Sequence, residues 1–278
     1  MRHFSYLLAT LALICPLKSM GDELTEEVVC CEENNSSFLI GVNYSRLNFK
    51  PDNLASLNGN LGGLQALYEY RPANAFYAGI EGSWRQGSIH GKDGKRELTD
   101  VNVAERLGYT WNCDCWHVTA YTGFGFRFLG HHVHPSEEAP AIFIGSFFPP
   151  FLTDEASLHL DYFEFYVPLG FLSEYPFSEF FSLGLNFAWM PQAFSTVNIR
   201  PLGGTFWSLT NTYANFRIEM PFSFNFACAN TFALVLSPFY ERWQDGHSTA
   251  KSSNGTPLGL EGDTYNYYGA NLNFIYRF

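Results

Sequence analysis

The chain has 278 residues, a formal net charge of −11, and fewer charged residues (15%) than aromatic ones (18%). A soluble domain ordinarily carries about 25% charge. The mean hydropathy is −0.09, and past the first residues no run reaches the ~20 apolar residues a membrane helix needs. The acidic balance, with no basic stripe, excludes nucleic acid as a partner.

Residues 1–21 read as an export signal peptide. Arg2 and His3 give a basic start, Tyr6 to Leu17 a short apolar core, and Ser19-Met20-Gly21 the small residues before a cleavage that leaves Asp22 first. Cys15 sits between Ile14 and Pro16, flanks that do not suit lipidation, and leaves with the leader. Residues 22–36 are an acidic, cysteine-containing segment.

From residue 37 to 278 the chain alternates with period two, and ten segments can be read, bounded by Gly, Pro, Asn or charged turns. The first, 38–47, sets Phe38, Ile40, Val42 and Tyr44 on one face; the second, 61–70, does so with Leu64, Ala66, Tyr68 and Tyr70. After the turn Arg71-Pro72-Ala73-Asn74, the third (76–86) opposes Phe76, Ala78, Ile80 and Trp84 to Tyr77, Glu81, Ser83 and Arg85. The fourth is 99–111, turned by Asn112-Cys113-Asp114-Cys115, and the fifth 117–129. The sixth is 160–172, with Pro176 in the next turn; the seventh is 181–189, the eighth 212–224 and the ninth 232–243. In the last, Tyr268, Ala270, Leu272, Phe274, Tyr276 and Phe278 oppose Gly269, Asn271, Asn273 and Arg277, with Ile275 the misfit. In the fourth segment Glu105 shares the apolar face of Leu107, Tyr109 and Trp111; a bulge at Glu105 and Arg106 would turn it away.

Strands that are apolar outward and polar inward, ending on an aromatic, are the pattern of a transmembrane β-barrel. The expected fold is all-β, an antiparallel up-and-down barrel of ten strands. Eight or twelve stay open, because 142–152 and 205–210 can be read either way. Long connections at 50–58, 87–97, 130–157, 191–204 and 244–262 alternate with short turns, as external loops alternate with periplasmic turns.

With this last strand the chain resembles the Gram-negative outer-membrane β-barrel proteins over nearly the whole mature chain. The resemblance implies an outer-membrane location, membrane lipid and the barrel-assembly machinery as partners, and Phe278 with Tyr276 and Phe274 as the assembly signal.

The inward faces collect Glu69, Glu81, Glu164, Glu219 and Glu241 with Arg85, Arg127, Arg217 and Arg277, and Arg106 beside them. Near-equal opposite charges predict a network of ion pairs across a narrow lumen. About eight strands leave room for side chains or one small ligand, whereas open channels need about sixteen. A filled interior is therefore expected, with a selectivity lining as the alternative.

Five cysteines remain after the leader: Cys30, Cys31, Cys113, Cys115 and Cys228, all on the periplasmic side of this topology. That compartment is oxidising, and an odd count leaves one thiol free or bonded to another chain. Vicinal Cys30-Cys31 and the close Cys113 and Cys115 are awkward to close internally. The placement resembles the disulfide-cross-linked proteins of chlamydial-type envelopes, which implies disulfide-linked envelope partners; intramolecular bridges with one spare thiol stay open.

His131, His132 and His134 open the longest loop, followed by Glu137 and Glu138. A histidine tract is compositional and reads as a solvated, pH-responsive loop; neither a metal nor a cofactor is expected. The same loop carries Phe143, Phe147, Phe148 and Phe151, an apolar contact surface for a lid, a protomer or a host ligand. Hydrolase elbows, zinc-protease helices and phosphate loops are absent. Ten-stranded outer-membrane proteases hold Asp and His at the external rim, and Asp154, Glu155, His159 and Asp161 lie there, but His159 and Asp161 share an outward face. The function expected is a structural, surface-interacting barrel cross-linked through periplasmic cysteines, rather than an enzyme. A small porin or solute channel gated by 130–157 is the alternative, and a protease-like rim enzyme the second.

Overall fold

A computed structural model describes residues 35–51, 55–92, 94–113, 116–135, 158–200, 206–226, 231–248 and 262–278. Residues 1–21, read as a signal peptide, together with Cys30, Cys31, Cys115, Cys228 and the expected contact residues Phe143, Phe147, Phe148 and Phe151, lie outside them.

The described residues form fourteen strands that make ten staves of one closed antiparallel barrel. β1 (Ser36–Pro51) pairs with β2 (Leu57–Tyr70) on one side and with β14 (Asp263–Arg277) on the other, which closes the sheet. β3 (Phe76–Gly91), β4 (Gly94–Cys113) and β5 (Trp116–Pro135) follow as long hairpins. The next three staves are broken, each at a proline, which has no N–H to give the ladder. β6 (Leu158–Tyr166) and β7 (Leu169–Ser178) divide at Pro168 and both pair with β5. β8 (Phe181–Trp189) and β9 (Gln192–Arg200) divide at Pro191 and pair with β7 and β6. β10 (Phe206–Ser208) pairs with β9; β11 (Phe216–Glu219) and β12 (Phe222–Asn225) divide at Pro221 and join β8 to β13 (Phe232–Asp245). β13 pairs with β14.

Along each long strand the facing is constant but the chemistry swaps. On the outer face of β1, Phe38, Ile40, Val42 and Tyr44 are 44% to 61% exposed. Beyond Ser45 the same parity puts Arg46 and Lys50 outside and buries Leu47 and Phe49 within the barrel. β3 repeats this, with Trp84 outside and Arg85 inside giving way to His90 outside and Ile89 inside. β5 does so with Phe128 outside and Arg127 inside, then His132 outside and Val133 inside. Below the swap the outside must suit hydrocarbon and the inside a polar lumen. Above it the outside faces water, and the strands bury their apolar side as soluble sheets do. Leu47, Phe49, Leu57, Leu61, Ile89, Leu98, Leu129 and Val133 thus build an apolar core inside the outer end of the barrel.

This swap explains where the structure departs from the sequence reading. Segments 87–91, 94–97, 131–135 and 192–200 are strand rather than external loop, because the backbone ladder continues after the apolar alternation reverses. The β3–β4 ladder runs out to Gly91 and Gly94. Pro176 lies within β7, and the turn is at Glu179-Phe180. Residues 212–215 of the eighth segment are not strand. There is no bulge at Glu105: it pairs with Ile80 and Phe124 in unbroken register and stays on the outer face.

Candidate functional site

The inward parity of β3, β4, β5, β6, β11 and β13 sends their charged side chains into one layer across the lumen. Arg85 Nη2 donates to Asp100 Oδ2 at 2.9 Å and to Glu241 Oε1 at 2.8 Å, and its Nη1 to Glu241 Oε2 at 3.2 Å. Arg127 grips Asp100 with two donors, Nε at 3.1 Å and Nη2 at 3.2 Å, and reaches Glu164 with Nη1 at 3.3 Å. Arg217 bridges Glu241 at 3.3 Å and Glu219 at 3.2 Å. Tyr267 donates to Asp100 at 3.0 Å and accepts from Arg127 at 3.0 Å. Side chains of Arg85, Asp100, Arg127, Glu164 and Glu241 are at most 3% exposed.

Aromatic faces complete the cation sites. The guanidinium carbon of Arg127 lies 4.4 Å from the Trp243 ring centre, that of Arg85 4.2 Å from Tyr267, and that of Arg217 4.7 Å from Phe239. Charges taken out of water this completely are tolerated only when paired and hydrogen-bonded on several sides; Asp100, Arg127 and Glu241 meet that condition, whereas Glu164 takes one donor, from Arg127, and its Oε1 has no partner among the described residues.

The remaining predicted residues lie toward the opposite end of the barrel, where Ser36 and Phe278 meet. Glu81 pairs with Arg106, Glu69 accepts from Tyr77 at 2.7 Å, and Arg277 donates to Asn225 at 2.9 Å. Sequence reasoning missed Asp100, the acceptor that joins Arg85 to Arg127. Its parity, shared with Asn102, Ala104 and Arg106, was the signal. It also missed Asp245, because the apolar alternation stops at Trp243 and β13 runs on.

Above the layer, the three histidines at the end of β5 part company. His131 points inward and is buried between Arg96, at 3.3 Å from Nδ1, and Tyr265, at 3.3 Å from Nε2. Burial, with Arg96 and then Arg127 adding to it, holds His131 well below the usual imidazole range, so it is neutral. His132 and His134 point outward, as do His159 and Asp161 on β6. Asp245 is buried against Glu164, and burial first, then that carboxylate, pushes its carboxyl well above the usual range.

No protein-family model and no curated protein sequence matches the chain. Solved structures do. The outer membrane protease OmpT from Escherichia coli superposes with a TM-score of 0.56 at 11% identity, covering 91% of this chain and 100% of that chain. The chain has the fold of an outer-membrane β-barrel. The translocator domain of the autotransporter NalP from Neisseria meningitidis gives 0.44 at 8% identity, over 89% of this chain and 90% of that chain. The toluene transporter TodX of P. putida gives 0.37 at 10%, over 88% and 91%. Likeness of fold by itself does not choose a function.

Proposed function

We propose that this chain is an outer-membrane barrel with an occluded lumen, serving as a structural and surface-presenting element of the envelope. The observation that carries this reading is the charged layer: Arg85, Asp100, Arg127, Glu164 and Glu241 are joined by buried ion pairs within the barrel, which also holds an apolar core. A water-filled pathway would have to break several buried pairs at once. The swap of outward chemistry above Tyr44 supports a water-facing outer end, where the strands stand as a rigid pedestal for the external connections.

Cross-linking through the short-turn cysteines rests on their placement; Cys113 ends β4 at that side. A rim protease is the less favoured reading. His159 and Asp161 face away from the lumen, and Asp161 is engaged by Arg200 at 2.7 Å. Two measurements test the proposal. Refolded protein in planar bilayers should give no stable conductance steps. A non-reducing gel of envelopes, with thiols trapped at lysis, should give bands above the monomer that collapse with reductant. A steady open channel would overturn the occluded lumen, and monomer alone would remove the cross-linking. Peptide cleavage lost on substituting His159 or Asp161 would favour the enzyme.

A further inference from the structure

Glu97 on β4, His132 on β5, His159 on β6 and Arg200 on β9 are direct cross-strand partners, one rank running across four staves. They stand on the outer face beyond the chemical swap, where the barrel wall meets water. His134 follows His132 on the same strand face, because side chains two apart on a strand point the same way.

The geometry points to a site for a borderline divalent cation such as Zn²⁺ or Ni²⁺, ligated by Glu97, His132 and His134 on the outer wall of the barrel. One ligand atom from each of the three lies within 4.8 Å of the others. Glu97 Oε2 is 4.0 Å from His132 Nδ1, and Glu97 Oε1 is 3.8 Å from His134 Nε2. Donors around a tetrahedral ion with bonds of about 2.0–2.1 Å sit roughly 3.4 Å apart, so small side-chain rotations on a rigid ladder close the set. The Nε2 atoms of His132 and His134 have no hydrogen-bond partner among the described residues. Two imidazoles and one carboxylate suit Zn²⁺, Ni²⁺ or Cu²⁺ rather than the all-oxygen shells of Ca²⁺ and Mg²⁺.

The imidazole rings of His132 and His134 are 4.2 Å apart, and His159 stacks on His132 with centres at 4.2 Å and planes at 16°. Water or His159 completes the shell. Lys95 is the built-in competitor: its Nζ lies 2.7 Å from Glu97 Oε1, and the side chain is 42% exposed, free to swing into solvent. Bound metal would tie β4 to β5 above the bilayer.

The test is equilibrium dialysis of refolded, detergent-solubilised protein against Zn²⁺, with Ca²⁺ as the contrasting probe. Wild type should take up one Zn²⁺ per chain and leave Ca²⁺ unbound. Loss of even an outer-shell partner costs a metal site about 10–100-fold in affinity, so His132→Ala and His134→Ala should each weaken binding at least about tenfold. Lys95→Met should tighten it, and His247→Ala, elsewhere on the chain, should leave it unchanged. Heat-modifiable migration on gels confirms that each variant is folded. Undiminished Zn²⁺ binding by a folded His132→Ala/His134→Ala variant would overturn the assignment. So would wild type taking up no Zn²⁺, or taking up Ca²⁺ equally well.

Discussion

Replacing Arg127 by Met removes a charge while keeping most of the side-chain volume. Arg127 serves Asp100, Glu164 and Tyr267. After the change Asp100 still has Arg85 at 2.9 Å and Tyr267 at 3.0 Å, but Glu164 loses its ion pair. A buried charge stranded in this way costs about 3–5 kcal/mol. Loss of the stacking on Trp243 acts in the same direction, by up to about 2 kcal/mol for a desolvated pair. Adding Glu164→Gln removes the stranded charge, so the double variant should recover most of the loss, with a coupling energy that marks direct contact. Arg71→Ala is the comparison, because the Arg71–Glu174 pair is 3.5 Å long and its side chains are 19% and 33% exposed. It should cost no more than about 1 kcal/mol. The assay is reversible urea unfolding in lipid vesicles, followed by tryptophan emission. An Arg127→Met variant as stable as wild type would refute the reasoning, since the layer would then be hydrated and the charges individually solvated.

Asp245 carries a pH dependence of known sign. Its carboxyl is raised by burial and by Glu164, so the folded state keeps a proton that the unfolded chain releases above about pH 4. The stability it contributes is complete below that pH and falls as pH rises through the folded-state value. Asp245→Asn should therefore flatten the decline in urea midpoint between mildly acidic and alkaline buffers; a steeper decline would contradict the assignment. Gly125→Ala should cost about 1–3 kcal/mol by overpacking, because its Cβ would land in the Tyr166 ring. Gly82→Ala should be neutral or stabilising in the same unfolding assay, since a Cβ there meets nothing within 4 Å. Deleting Phe278, whose N–H donates to Ser36 O at 2.9 Å and whose ring stacks on Tyr276, should sharply lower the heat-modifiable protein in the outer-membrane fraction while export continues.

Local alternation was enough to place Phe38, Ile40, Val42 and Tyr44 outside, and Arg85, Arg127, Glu164, Arg217 and Glu241 inside. A strand between two different environments writes its facing at every second residue, and no distant information is needed to read it. The same alternation also assigned the lumen, because parity persists where chemistry changes. Three things depended on the assembled sheet. The strand ends lie beyond the apolar belt, where polar residues such as Ser88 and Glu97 continue the ladder only because a partner strand is there to pair with. Asp100 faces Arg85 directly across β3 and β4 and Arg127 diagonally across β4 and β5, a matter of cross-strand register and so a tertiary quantity. Glu97 reaches His132 and His134 only through the β4–β5 register. The sequence could put the two histidines on one face, but it could not bring a carboxylate from another strand beside them, because cross-strand register is set by the closed ladder rather than by the residues of either strand alone.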